Sequence, residues 1–186
     1  MNRKCQTTCP AANNLFGNRF TEECVTSCDP NLEIYADTLT RFCEQVCSGD
    51  QYKVKLANGT NVCVGKTACP TGLYSDPMMK ACVSECYNNT FGYNGVCYTD
   101  CPIIVGDVLF ANPITKTCVT ALNCPDGFFA DSDKKRCVKF CDIANATFGD
   151  KDLKACVKSC ASPNYADNST RLCVPKCPDV PELFAR

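Results

Sequence analysis

The sequence predicts a small disulfide-rich, mostly β fold: a tandem array of short disulfide-closed β-hairpin modules forming an elongated rod. Three observations lead there. The 186-residue chain carries 20 cysteines and neither histidine nor tryptophan, a composition met in disulfide scaffolds. The cysteines come as ten pairs, opening at Cys5, Cys24, Cys43, Cys63, Cys82, Cys97, Cys118, Cys137, Cys156 and Cys173. Between pairs the same wording recurs, which makes the chain an internal repeat before any local propensity is weighed. Large apolar residues are spread evenly, so many small clusters held by cross-links are expected instead of one core.

The clearest copy runs from Cys118 to Cys141. After Cys124 come Pro125 and Gly127, then Phe129-Ala130-Asp131, a short polar run, Lys135 two before Cys137, and Val138 just after it. Eight cysteine pairs are C-x3-C, and Cys63/Cys69 and Cys118/Cys124 are C-x5-C. Each loop carries an aromatic or Leu, a small residue, then Asp or Asn: Phe16-Gly17-Asn18, Tyr35-Ala36-Asp37, Leu56-Ala57-Asn58, Tyr74-Ser75-Asp76 and the variant Phe91-Gly92-Tyr93-Asn94. The series continues with Phe110-Ala111-Asn112, Phe129-Ala130-Asp131, Phe148-Gly149-Asp150 and Tyr165-Ala166-Asp167. A basic residue stands two before the next cysteine in six loops, at Arg41, Lys80, Lys116, Lys135, Lys154 and Arg171.

This wording reads as a hairpin. The aromatic and small residue end the first strand, Asp or Asn opens a turn by bonding its own backbone, and the basic residue starts the return strand. Asp and Lys would face each other as an exposed pair of little worth, the acids being solvated turn carboxylates. The alternative is a short helix from Asp to the basic residue at i, i+4; Asp76-Pro77 and Asn112-Pro113 disfavour it. The aromatics are expected to cover disulfides and neighbouring hairpins.

The whole of 1–186 reads as one continuous repeat array, with loops 5–24, 24–43, 43–63, 63–82, 82–97, 97–118, 118–137, 137–156 and 156–177. Both ends are expected to fall inside a repeat. Arg3 and Lys4 precede Cys5 as basic residues do elsewhere, and Phe184-Ala185 follows Cys177 at the interval of Tyr35 after Cys28.

Net charge is −1 with the signs interspersed, which argues against nucleic acid and anionic membrane surfaces as partners. Cysteines in even number at a regular beat fit an oxidising compartment. Four N-glycosylation triplets, at Asn58, Asn88, Asn145 and Asn168, agree with a secreted or cell-surface glycoprotein. No apolar run is long enough to span a bilayer, and Met1 to Pro10 has no apolar signal core. Zinc is disfavoured because structural sites use C-x2-C knuckles, often with histidine. A thioredoxin-type site fails on spacing. Without histidine, a phosphate loop or converging acids, no enzyme chemistry, metal or cofactor is expected.

At Cys63 to Cys86 and Cys118 to Cys141, the string CVxxCPxGxYAD followed by a basic residue and CV resembles the furin-like, growth-factor-receptor cysteine-rich repeats. The resemblance extends recognisably over essentially the whole chain, and long arrays of this kind are similar to cysteine-rich surface proteins of protists such as ciliates. It implies an extracellular rod of disulfide-closed β-modules without catalysis. The chain departs from receptor ectodomains in lacking their alternating larger modules, which disfavours growth-factor binding.

The expected ladder joins the second cysteine of each pair to the first of the next: Cys9–Cys24, Cys28–Cys43, Cys47–Cys63, Cys69–Cys82, Cys86–Cys97, Cys101–Cys118, Cys124–Cys137, Cys141–Cys156 and Cys160–Cys173. Cys5 and Cys177 remain for neighbouring repeats or for other copies. The alternative, implied by the family's two-bond modules, pairs 1–3 and 2–4, as Cys5–Cys24 and Cys9–Cys28. Two functions are open: a structural glycoprotein of a surface coat or filament, and a receptor or adhesin stalk binding a protein partner. Ile103-Ile104-Val105 with Val108-Leu109 is the candidate apolar patch for the second. Non-reducing peptide mapping should recover Cys9 joined to Cys24; recovery of Cys5 joined to Cys24 would reject the ladder.

Overall fold

The structure, a computed structural model, describes residues 9–10 and 13–177. Cys5, with Arg3 and Lys4, and Phe184-Ala185 lie outside the described residues. The chain divides into two compact units, Met1–Tyr87 with Asn94–Cys97, and Asn88–Tyr93 with Tyr98–Arg186.

In the first unit the strands come as short pairs: β1 (Phe16–Asn18) with β2 (Glu23–Val25), β3 (Tyr35–Ala36) with β4 (Cys43–Glu44), β5 (Gln51–Lys55) with β6 (Asn61–Gly65), and β7 (Tyr74–Asp76) with β8 (Ala81–Val83). Each pair is antiparallel, and its aromatic faces the residue after the cysteine, as Phe16 faces Val25 and Tyr74 faces Val83. The second unit holds β9 (Phe91–Tyr93), then β11 (Phe110–Asn112) with β12 (Thr117–Val119), β13 (Phe129–Asp131) with β14 (Arg136–Val138), β15 (Phe148–Asp150) with β16 (Ala155–Val157), and β17 (Tyr165–Asp167) with β18 (Leu172–Val174). Strand β10 (Val96–Tyr98) pairs with β7. The hairpins are numbered as modules 1 to 9 in chain order, β9 and β10 being the strands of module 5.

Modules are joined by strand pairing. The first strand of each module runs parallel to the return strand of the next, through one register position: Ala36 opposite Val62, Lys53 opposite Ala81, Ala111 opposite Arg136, Ala130 opposite Ala155, Gly149 opposite Leu172. The sheet order is therefore β10-β7-β8-β5-β6-β3-β4 in the first unit, with a bridge from Phe42 to Gly17 of β1. In the second it is β17-β18-β15-β16-β13-β14-β11-β12-β9.

No module has a core of its own size; the clusters straddle neighbours. Phe16 packs with Ala36 and with Cys28 and Cys43 of the next module, and Phe110 packs with Ala130, Cys124 and Cys137. Each aromatic thus rests on the small residue and disulfide that follow it. That is why the residue after the aromatic is small in all modules but the third, where Lys53 follows Tyr52. A Cβ at Gly149 would come within 2.7 Å of the Phe129 ring. At Gly17 the same seat is filled by the Phe42 ring, again 2.7 Å from a hypothetical Cβ.

The nine disulfides of the structure join Cys9–Cys24, Cys28–Cys43, Cys47–Cys63, Cys69–Cys82, Cys86–Cys97, Cys101–Cys118, Cys124–Cys137, Cys141–Cys156 and Cys160–Cys173. Sequence separations run from 11 to 17 residues. A loop of about 15 residues is worth roughly 3 kcal/mol on the chain-entropy account, enough to offset a small core. The two C-x5-C spacers absorb their extra residues in a turn closed by Ala68 N–H donating to Gly65 O and in a 3-10 turn at Ala121–Asn123.

One loop departs from its expected reading. Leu56-Ala57-Asn58 does not occupy the strand positions of module 3; Tyr52-Lys53-Val54 does, with Lys53 opposite Cys63 and Tyr52 buried. Leu56 to Thr60 forms the hairpin tip instead, where Leu56 N–H donates to Thr60 O and Gly59 turns at φ 85°. The hairpin is longer by two residues per strand, and the Asn58-Gly59 dipeptide fixes its turn.

Because the Phe129 ring is held against Gly149 by well-packed neighbours, Gly149→Ala should destabilise by about 1–3 kcal/mol. The loss would show as a lower denaturant midpoint at unchanged slope, and Phe129→Leu in the same chain should recover part of it.

Candidate functional site: the joint between modules

The repeated wording encodes a turn and a joint. In seven modules the Asx side chain caps its own turn, accepting from the N–H groups two and three residues on. Asp37 Oδ1 accepts from Leu39 at 2.8 Å and Thr40 at 3.1 Å, and Asp131 Oδ1 from Asp133 and Lys134, both at 3.0 Å. Asn18, Asp76, Asn112 and Asp150 do the same, and Asp167 accepts from Ser169 N–H at 2.8 Å. These side chains are buried, Asp37 completely. The expectation of solvated turn carboxylates is therefore corrected: the acids sit inside the turn as acceptors, where they match donors the tip would otherwise leave unpaired.

The turn ends on the basic residue. Arg41 N–H donates back to Asp37 O at 2.9 Å, Lys116 to Asn112 O at 3.1 Å and Arg171 to Asp167 O at 2.8 Å, an i+4 closure of one helical turn. The hairpin and the short helix meet here, since the tip is a single α-turn between two strands. Arg41, Lys80, Lys116, Lys135, Lys154 and Arg171 all stand at φ between 48° and 63°. This left-handed conformation costs an L-residue about 1–2 kcal/mol, so a contact must offset it.

That contact is the preceding module. The basic residue's carbonyl accepts from the N–H of the residue after the aromatic one module back: Gly17 to Arg41 at 2.9 Å, Lys53 to Lys80 at 2.9 Å, Gly92 to Lys116 at 2.7 Å, Ala111 to Lys135 at 2.9 Å, Ala130 to Lys154 at 2.8 Å and Gly149 to Arg171 at 2.8 Å. Its side chain reaches back as well. Arg41 donates to Leu15 O at 2.7 Å, and its guanidinium carbon lies 4.7 Å from the Phe16 ring centre. Arg171 donates to Thr147 O at 2.8 Å and sits 4.3 Å over Phe148. Lys80 is 5.2 Å over Tyr52 and donates to Gly49 O, Lys116 is 5.7 Å over Phe91, and Lys154 donates to Cys124 O at 3.1 Å. A cation on an aromatic face contributes about 0.5–2 kcal/mol and a charged hydrogen bond about 1.5–3 kcal/mol. At Arg41 and Arg171, where both contacts are made, together they outweigh the backbone strain. The expected Asp–Lys pair across one hairpin mouth is thus corrected: the cation serves the neighbouring module instead. Module 5 has Gly95 at this place, where Asn94 and Gly95, at φ 46° and 73°, make a two-residue turn and Ser75 N–H donates to Gly95 O at 2.8 Å.

Hydrogen bonding lowers the carboxyls of two caps, Asp167 and Asp37. Donation from Thr170 Oγ1, then from Ser169, brings the Asp167 carboxyl down to about 2. Burial of Asp37 opposes ionisation, but the Ser48 hydroxyl and N–H, with Thr40 and Leu39 N–H, win and lower its pKa. Asp142 is lowered by the Lys134 ammonium, 3.0 Å away.

The remaining candidate residues are scattered. Asn58, Asn88, Asn145 and Asn168 are all exposed. Asn58 Oδ1 accepts from Thr60 Oγ1 at 2.7 Å, and Asn145 Nδ2 donates to Asp133 at 3.0 Å. Cys177 is a half-buried free thiol. The candidate patch divides: Leu109 is buried and Ile104 packs against its cluster, while Ile103, Val105 and Val108 are exposed. Among the described residues no helix is long and apolar enough to cross a membrane, and no three acidic, cysteine or histidine side chains converge. The nine disulfides point to folding in an oxidising compartment.

Sequence reasoning does not find the joint, because its partners lie about one module apart in sequence. The signal was nonetheless there, in a basic residue kept two before the cysteine where a surface turn would accept anything. Comparison with protein-family models, with curated proteins and with solved structures finds no match.

Asp131→Ala should cost about 1–2 kcal/mol, as loss of a helix cap does, while Asp131→Asn keeps the acceptor and most of the stability. The Asp167 contribution is present above the ordinary carboxyl value of 3.8 and fades as pH falls toward about 2. Thermal unfolding followed between pH 5 and pH 2 should therefore lose a component in that window that Asp167→Asn lacks.

Proposed function

We propose that this chain is a non-enzymatic extracellular structural glycoprotein, a disulfide-stapled rod or filament segment of a cell-surface coat. The disulfide-rich repeat architecture is compatible with an extracellular structural or surface protein, and one observation supports the finer reading. The polar and charged groups that recur in most modules are spent on the joint itself: Asx on its own turn in seven, and the cation, present in six, on the neighbouring aromatic or carbonyl, as at Arg41 and Arg171. Side chains used in this way serve continuity of the array, as in other one-dimensional repeats. The resemblance to furin-like repeats and to cysteine-rich protist surface proteins favours the same role. Exposed sequon asparagines fit sugars that would shield the turns.

A receptor or adhesin stalk is the second reading, favoured by Ile103 and Val105, which are almost fully exposed in the longest disulfide loop. Apolar side chains presented in this way suit a protein partner.

Two measurements test the proposal. Solution scattering from the native glycoprotein should give a particle on the order of 100 Å long, from nine two-stranded modules each advancing the sheet by roughly 10 Å, two strand spacings. A radius of gyration near the roughly 16 Å of a single globule this size would overturn the rod. Mass spectrometry of the same material should find sugar on Asn58, Asn88, Asn145 and Asn168; all four unmodified would remove the glycoprotein reading.

A further inference from the structure

The four sugar-acceptor triplets fall into two classes by where their third residue lies. A transferase reads the triplet as a unit, with the asparagine amide as nucleophile and the hydroxyl two residues on as a recognition group. An exposed asparagine is therefore not enough. Thr90 is 3% exposed and Thr147 7%, and each stands directly before the aromatic of its module, Phe91 and Phe148. Thr60 and Thr170 stand in turns at hairpin tips, the first half-buried and the second exposed.

The triplet Asn145-Ala146-Thr147 is held from three directions. Within its own loop, Thr147 donates twice to Asp142 O, from N–H and from Oγ1, both at 3.1 Å. Ala146, at φ 50°, donates to Ile143 O at 3.1 Å. From the next module, Arg171 donates to Thr147 O at 2.8 Å with its guanidinium 4.3 Å over Phe148. From the module before, Asp133 accepts from Asn145 Nδ2 at 3.0 Å. An enzyme groove needs the triplet's hydroxyl and backbone groups free, and here they are spent inside the array. The contacts of Asn58-Gly59-Thr60 stay within one tip instead: Thr60 Oγ1 donates to Asn58 Oδ1 at 2.7 Å, and Leu56 N–H to Thr60 O at 2.8 Å. At Asn168 the exposed Thr170 hydroxyl donates to Asp167 at 2.6 Å, inside its own turn.

We propose that Asn88 and Asn145 accept sugar only before their modules close, whereas Asn58 and Asn168 remain acceptors in the folded chain. Joint formation then sets occupancy at Asn145: once Cys141–Cys156 has formed and Arg171 has docked on Thr147, that site is shut. The inference rests on the glycoprotein reading above. In the transfer, Asn145 Nδ2 bonds to the anomeric carbon of a glycosyl diphosphate donor. The bond from that carbon to the diphosphate oxygen breaks, the diphosphate leaves with the electron pair, and Nδ2 gives up one proton to base. Nδ2 keeps its other hydrogen for Asp133.

The test uses the whole 186-residue chain without sugar, an oligosaccharyltransferase and a lipid-linked glycosyl diphosphate, read by glycopeptide mass spectrometry over time. With disulfides formed, Asn58 and Asn168 should be modified, and Asn88 and Asn145 at least about tenfold more slowly, as for sites reached only through local opening. After reduction and alkylation all four should react at similar rates. Arg171→Ala should speed modification of Asn145 in the oxidised chain, keep Cys141–Cys156 and leave Asn58 unchanged. An oxidised chain modified at Asn145 as fast as at Asn58, its disulfides intact, would overturn the proposal. So would a reduced chain that still fails at Asn145, an oxidised chain closed at Asn58, or Arg171→Ala without effect on Asn145. Native material bearing no sugar would remove the glycoprotein reading but leave these rates as they are, so the two failures are told apart.

Discussion

One backbone hydrogen bond, from the N–H of a small residue to the carbonyl of the basic residue in the next module, governs the rest of the architecture. It brings two strands from different disulfide loops to sheet spacing. That approach requires the residue after each aromatic to be Gly, Ala or Ser in most modules, because the aromatic of the preceding module already lies across it. The basic residue that supplies the carbonyl stands in a left-handed conformation in all six modules that have one. The cation over the neighbouring ring follows from this constraint. A glycine would adopt the conformation without strain, as Gly95 does, but would forgo the ring and carbonyl contacts.

The two stabilising devices divide the task. Disulfides act within a loop by narrowing what the unfolded chain can explore. Strand pairing and the aromatic seats act between loops, because they appear only when a second module arrives. Neither is sufficient alone: a single hairpin buries too little to persist in water, and cross-links by themselves do not order neighbours. The result is stability built from near-neighbour terms.

What the residues disclosed in advance was the local part. An Asx side chain bonding the two amides after it is chemistry within three residues, so the turn was legible from Asp37 or Asp131 alone. Strand pairing of Phe129 with Val138 followed from their spacing about the turn. The environment of those same groups was not legible. Whether Asp131 meets water, and where Lys154 points, depends on residues brought in from another loop. Module 3 departs from its expected reading for a related reason: Leu56-Ala57-Asn58 imitates the wording, and only the register of Lys53 with Cys63 shows that Tyr52 holds the aromatic place. Likewise Ile104 and Leu109 turn inward while Ile103 and Val105 turn out, an alternation set by the packing around Phe91.

The ladder has a mechanical consequence. Each disulfide closes its own loop, so a protease cutting at a tip, between Met78 and Met79 for example, leaves both fragments tied through Cys69–Cys82. Tension applied along the chain likewise bypasses every loop, passing from one cysteine across its bond and into the short spacer before the next. Only the spacers, such as Val83 to Glu85 between Cys82 and Cys86, carry load with no covalent bypass. They are therefore the places where the array can be severed, and their short length limits how far it can be drawn out.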